Sequence, residues 1–344
     1  MKRVLRCVAA LLCVVLGDAA LSAPAASAAP EKTHIAIAVG GKAGFYYLPL
    51  TIAEQLGYFR DEGLQVEISD FQGGAKALEA LVGGSADVVS GAYEHTIDMQ
   101  SKGQHIRAFA LMGRAPQIAI GVVTAKAAQY KTPADLKGLK IGVSAPGSST
   151  NIAVDYLIGQ SGLKPNDVIV VGVGTAAGAI AAVTSGQVDG ISNVDPVMTM
   201  LEQRHAVKII ADARTLAGTE ALFGGPMPAA TLYAPEDFIR KYPNTVQALT
   251  NAIVRADRWL QHAGPTDLLK TVPESYLLGD RALYLAAFNN VHEAFSPDGL
   301  IPEAGTHTAL KVLASFNPRI DAAHIKLDET YTNEFAKKAD ARFP

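Results

Sequence analysis

Residues 81–94 read LVGGSADVVSGAYE, and residues 183–196 read VTSGQVDGISNVDP. Gly84 matches Gly186, Asp87 matches Asp189 and Ser90 matches Ser192, all at one offset of 102, and the pairs Ala77/Ala179 and Ala80/Ala182 keep it upstream. That offset exceeds any solenoid repeat and points to two similar domains. Around each copy, short β-rich runs alternate with helical patterns, which predicts βαβ units and parallel sheets. The first series runs from HIAIAVG (34–40) through loop GKAGF, a helix over YYLPLTIAEQLGYF ending near Gly57, LQVEIS, AKALEALVGG, ADVVSG and EHTIDMQSKG to HIRAFALM. The second runs from LKIGVS through APGSS, TNIAVDYLIGQSG, DVIVVGV, AAGAIAAVTSG, VDGIS and DPVMTMLEQ to AVKIIAD. PQIAIGVVTAK lies between the copies and MPAATLYAPEDF after them; both read as extended and apolar, the expected crossings of a chain that leaves one domain for another and returns. From about Pro235 the pattern is helical only, and this tail is expected to wrap back onto the first domain.

The N-terminus reads as a secretory leader. MKRVLR is basic, CVAALLCVVLG is an apolar run shorter than a membrane span, and Ala26-Ser27-Ala28 offers the small residues of a cleavage site, with the cut expected after Ala28. Cys7 and Cys13 are the only cysteines, and both fall inside it. A mature chain without thiols has no disulfide, cysteine-bound zinc, iron–sulfur cluster or cysteine nucleophile. Losing Lys2, Arg3, Arg6 and Asp18 removes two net positive charges and takes the formal charge from −3 to −5. A mildly acidic chain without basic blocks argues against nucleic acid or an anionic membrane as partner.

Chemistry-bearing motifs are sparse. There is no HExxH, no GxSxG and no His–Cys metal spacing, and GKAGF lacks the Gly-Lys-Ser/Thr ending of a phosphate loop. Neither a cofactor nor catalysis is expected, although acid–base sites need no signature, which leaves Glu94 with His95 open as a general-base pair.

The repeat instead builds a binding device. In open α/β sheets ligands bind beyond the carboxyl ends of the strands, where loops and helix N-termini collect and unpaired N–H groups suit anions. Gly73-Gly74 and Gly147-Ser148-Ser149-Thr150 occupy equivalent regions of the two copies, as ordinary loop and cap chemistry or as ligand donors. After the third strand of each copy, Tyr93-Glu94-His95 corresponds to Asn193, Asp195 and Pro196. Asp195-Pro196 suits an N-cap followed by proline at the first helical position, a role that does not exclude ligand contact. Glu94 and His95, if they face the cleft, imply a ligand that carries a donor. Tyr46 and Tyr47 offer one aromatic wall and one core residue, in an order the sequence leaves open, and Arg114 is an anion partner or a structural ion-pair partner. On this reading Ser149→Ala and Asn193→Ala are expected to weaken binding without unfolding the protein.

GYFRDEGLQVEI, GGAKALEALVGGSADVV, DLKGLKIGVSAPGSSTNIAVDYLIGQSGLKPNDVIVV and SGQVDGISNVDPVMTM, in that order, resemble the solute-binding proteins of the nitrate/sulfonate/taurine and thiamine-precursor (SsuA/THI5-like) group of ABC importers, over roughly residues 34–260. The resemblance implies an α/β type II periplasmic-binding-protein fold with two Rossmann-like lobes joined by a two-strand hinge. It puts residues 29–118 and 233–344 in lobe 1 and residues 119–232 in lobe 2. It implies a monomer that captures one small solute by hinge closure and hands it to an ABC permease and its ATPase. By motif, the ligand-facing positions would be Tyr46, Tyr47, Gly73, Gly74, Ala92, Tyr93 and Glu94 in lobe 1, and Ser148, Ser149, Thr150, Asn151, Asn193 and Asp195 in lobe 2. The related thiamine-pyrimidine synthases need a cysteine-rich motif that the mature chain lacks, whereas cytosolic enzymes of the same fold lack an export signal. A sensor that docks on a membrane receptor is the remaining alternative. An organic anion with an apolar or aromatic body, near Tyr46, Tyr47, Tyr93 and Phe223, is the expected solute.

Overall fold

The computed structural model describes residues 28–343; the leader reading on residues 1–27 lies outside them. Ten strands form in chain order: β1 (His34–Gly40), β2 (Gln65–Phe71), β3 (Val88–Ala92), β4 (Ile106–Leu111), β5 (Ile118–Val123), β6 (Lys140–Val143), β7 (Ile169–Gly172), β8 (Gly190–Val194), β9 (Val207–Ala213) and β10 (Ala230–Pro235). They make two five-stranded sheets, ordered β2-β1-β3-β10-β4 and β7-β6-β8-β5-β9. The two orders are the same pattern written twice.

The sheets are mixed, which corrects the expectation of wholly parallel ones. β10 runs antiparallel to β3 and β4, and β5 runs antiparallel to β8 and β9. The reason lies in the crossings. Ala230 enters opposite Ala92 and Ile118 enters opposite Val194, each at the carboxyl end of a neighbouring strand, so the arriving chain can only run back against it. The connections 112–117 and 224–229 are also tied to each other, since Ala229 N donates to Gly113 O (2.9 Å), and Gly113 N donates in turn to Ala230 O at the start of β10 (3.2 Å).

The repeated letters are scaffolding. Gly84 and Gly186 take φ of +76° and +72° where each preceding helix turns into its strand, a conformation glycine adopts without steric cost. Asp87 Oδ2 accepts from Ala36 N (3.0 Å) and Asp189 Oδ2 from Lys140 N (2.8 Å), so each aspartate secures the start of the neighbouring strand. Lys32 and Lys126 pair with the same two carboxylates. Ala77 and Ala179 are fully buried, and Ser90 and Ser192 lie at zero exposure inside their strands.

The predicted helix over residues 46–59 is broken in three, a turn at Phe45–Tyr47 and helices Leu48–Gln55 and Tyr58–Asp61, because Gly57 sits between the last two at φ +75°. Helix Leu216–Phe223 had no counterpart among the expected elements. The tail does more than return to the first sheet. Its long helix Pro243–His262 packs on Leu48–Gln55, but helix Glu303–Phe316 packs on Ser149–Gly159 and helix Arg281–Val291 on Val197–Gln203, both from the second unit. Asn290 Nδ2 donates to Thr199 Oγ1 (3.0 Å) and Leu216 N donates to Glu293 Oε1 (2.9 Å) across the same boundary.

Candidate ligand-binding site

Where the two sheets present their strand ends to each other, the loops are in close contact. A Cβ on Gly44 would stand 2.8 Å from Val194 Cγ2, and one on Gly73 would stand 2.8 Å from Ala145 Cβ, so glycine allows the approach. Two hydrogen bonds cross the gap: Phe45 N donates to Asp195 O (2.8 Å) and Ala75 N donates to Ser148 Oγ (2.9 Å).

Between these contacts lie two adjoining chambers that share Tyr46, Ile118 and Ser149. The first is polar, walled by Gly40, Gly41, Tyr47, Gly74, Ser144, Ser148, Thr150, Thr175 and Val194. The second is apolar except for one carboxyl, walled by Glu94, Pro116, Ile152, Ala153, Phe223, Met227, Pro228 and Ala229. Their volumes are about 20 Å³ and about 10 Å³. The first chamber is also where helices Gly74–Val82 and Ser149–Gly159 begin, and the first-turn residues Gly74, Ser149 and Thr150, whose N–H groups have no acceptor within their helices, line it.

Tyr46 and Tyr47 are both nearly fully buried, with ring centroids 4.8 Å apart edge to face, and both line the first chamber. The Tyr46 hydroxyl has no hydrogen-bond partner. Burial raises both phenols far above their ordinary range, and the nearby Glu94 adds to the rise. Burial likewise pushes the Glu94 carboxyl up to about 7, with the Ser149 hydroxyl working against it. Among the described residues no lysine or arginine lines either chamber.

The other expected residues are placed differently. Tyr93 turns into the core and shares a 2.6 Å hydrogen bond with the Thr330 hydroxyl, while Ala92 is buried within β3. Thr150 Oγ1 accepts from Ser144 N (3.0 Å), and Asn151 Oδ1 accepts from Gly147 N (2.9 Å) while its Nδ2 donates to Asp155 (3.0 Å), so these two side chains are occupied in shaping the loop. Asn193 donates to Gly174 O (2.8 Å) and accepts from Val194 N (2.9 Å). Asp195 Oδ1 accepts from Thr199 N (2.7 Å), near the start of helix Val197–Gln203, and Oδ2 lies 3.6 Å from Arg214, an ion-pair distance beyond hydrogen bonding. Pro196 stands at the cap of that helix and not at its first position. His95 stacks edge-on to Tyr233 and faces a separate groove of about 500 Å³ beside Asp98, Lys102, Asp155 and Arg319; burial lowers its pKa to about 4. Arg114 Nε donates to Glu293 O (2.9 Å), away from both chambers.

Two participants escaped the sequence reading. Thr175 sits 102 residues after Gly73, so the repeat offset itself carried the signal for it. Arg214 is buried and bonds Asp212 (2.6 Å) and Glu202 (3.1 Å) while facing Asp195. Burial opposes its charge, but these three carboxylates overcome that and hold it above its ordinary value. No motif marks such a hub.

The NMT1/THI5 like family model matches residues 44–263. A solved structure from Bordetella bronchiseptica RB50 is 58% identical, with a TM-score of 0.90, over 92% of this chain and 99% of that one. The alkanesulfonate-binding protein SsuA of Xanthomonas axonopodis, bound to MOPS, shares the fold at 20% identity and a TM-score of 0.63, over 86% of this chain and 96% of its own. Among curated proteins, the nitrate/nitrite binding protein NrtA of Nostoc is 25% identical over 70% of this chain and 58% of its own. The 4-amino-5-hydroxymethyl-2-methylpyrimidine phosphate synthase of Schizosaccharomyces pombe is 25% identical over 67% of this chain and 64% of its own. The fold is that of the periplasmic binding proteins, and the chain belongs to the NMT1/THI5-like family.

Proposed function

We propose that the protein is the exported solute receptor of an ABC importer. It captures a small organic anion between a first lobe (residues 29–118 and 233–344) and a second (residues 119–232), closes about the two crossings, and presents the closed form to the permease and its ATPase as a monomer in the periplasm. The observation that carries this reading is the chamber pair, whose walls are drawn from both sheets and bridged by hydrogen bonds across the gap. Residues from both sides meet the solute only when closed, so binding energy shifts the open/closed equilibrium. Sulfonate- and nitrate-binding proteins among the relatives support it.

The test is a thermal-shift screen of the purified protein against sulfonates, carboxylates, taurine and pyrimidines, followed by mass spectrometry of the bound molecule. A solute at a hundred times its Kd adds about 2.7 kcal/mol of stability and is released unchanged. The synthases among the relatives, and a buried carboxyl that holds its proton near neutrality, give the enzyme reading its one foothold; a molecule recovered chemically altered would establish it.

A further inference from the structure

The site is lopsided in its chemistry. At one end stand the N–H groups of Gly74, Ser149 and Thr150, first-turn positions for which helical bonding supplies no acceptor. At the other end Glu94, 2% exposed, is the single carboxyl in a chamber otherwise lined by side chains such as Phe223 and Met227. Tyr46, 4% exposed with its hydroxyl unpartnered, stands between the two ends. A simple anion would satisfy the N–H groups but would share a water-poor enclosure with Glu94, with no lysine or arginine in its lining to offset two like charges.

Resting on the solute-receptor reading above, we propose that the solute is amphoteric. Its carboxylate or sulfonate is held by the N–H groups of Gly74, Ser149 and Thr150, its protonated nitrogen by Glu94, and its compact apolar body lies against Phe223 and Met227. The ammonium is the cation the protein itself does not supply there, and the Tyr46 hydroxyl gains a partner from the ligand's polar end. The acid–base behaviour of Glu94 follows. Burial raises its carboxyl to about 7, so an ammonium-bearing solute, which favours the carboxylate, binds more tightly as pH rises through that value. An amine-free acid, which favours the protonated form, binds less tightly over the same interval.

The experiment is calorimetry with matched pairs, taurine against ethanesulfonate, β-alanine against propionate and (aminomethyl)benzoate against methylbenzoate, at about pH 6 and about pH 8, on wild type and Glu94→Gln. At least one amino member should bind about tenfold tighter than its partner in wild type, with the two opposite pH slopes, and Glu94→Gln should erase the preference. If Glu94→Gln fails to fold, the opposite slopes in wild type carry the decision. Binding confined to amine-free acids, equal affinity within every pair, or a preference that survives in Glu94→Gln overturns the inference and leaves solute capture standing. No thermal shift with any of these compounds or with the wider acid screen removes the receptor reading, and this inference with it.

Discussion

Asn193 and Ser149 invite the same substitution and should answer differently. Ser149 lines both chambers, and its hydroxyl faces Tyr46 and Glu94. Ser149→Ala should therefore weaken solute binding about tenfold with the melting temperature nearly unchanged. Asn193, fully buried, satisfies one backbone carbonyl and one backbone N–H. Asn193→Ala orphans both and should cost about 2–3 kcal/mol in urea unfolding, so any loss of affinity comes with lost stability; an unchanged urea midpoint would refute this assignment. Asp257 is a third case. Both its oxygens are buried without partners, and burial, reinforced by Asp298, raises its pKa well above the carboxylate range. A raised folded pKa means that the fold keeps the proton after the unfolded chain has released it at about pH 4, so the acid costs stability as pH climbs above the unfolded value. Asp257→Asn removes that cost. Its gain over wild type should be small at about pH 4 and grow as pH rises towards about 8, measured as paired denaturation curves; a gain independent of pH would show that Asp257 does not titrate in the fold.

Elements repeat because sheets repeat, and this was the legible part. The Gly-x-x-Asp phrase marks where a helix ends and a strand begins, a local event governed by positive φ and by a carboxylate receiving an N–H near the start of a neighbouring strand, so a single chain can announce it twice. Strand positions followed from apolar runs for the same reason. What the sequence did not disclose depends on partners distant in the chain. The antiparallel direction of β5 and β10 is set by where a crossing arrives, the second-unit contacts of Glu303–Phe316 by tertiary packing, and the inward turn of Tyr93 by Thr330 far downstream. The candidate site divides along the same line. Tyr46, Gly74 and Ser149 stand at readable helix starts and line the chambers, whereas Asn151 and Asp195 spend their side chains on backbone groups of their own loops and helices, which no motif announces. If the repeated aspartates are strand fasteners, Asp87→Ala and Asp189→Ala should each cost about 1–3 kcal/mol, add independently in the double variant because they serve different sheets, and leave solute affinity intact. Loss of affinity without loss of stability would return the repeat to the binding site.

On the receptor reading proposed above, closure is a property of the whole molecule, and Ser148 is where it can be weighed. Ser148 stands at the N-cap of Ser149–Gly159, yet its hydroxyl makes no bond to its own helix; it reaches across the gap to Ala75 N. The opposite edge is joined by two backbone groups, Phe45 N and Asp195 O, which no side-chain substitution removes, while Asn290 and Glu293 of the tail hold the second unit whatever the loops do. In an open form water would serve Ala75 N, so Ser148→Ala costs that form almost nothing. On closing, the variant buries the N–H without an acceptor, a penalty of about 1–3 kcal/mol charged to the closed form alone. Affinity should then fall by about tenfold or more while the ligand-free melting temperature stays put, and small-angle scattering at saturating solute should still reach the compact form. A fall in the ligand-free melting temperature would mean that the bond from Ala75 N to Ser148 is already made without solute. Unchanged affinity would mean that the lobes already rest together without solute, so that the free energy of binding is spent on opening the site and not on closing it.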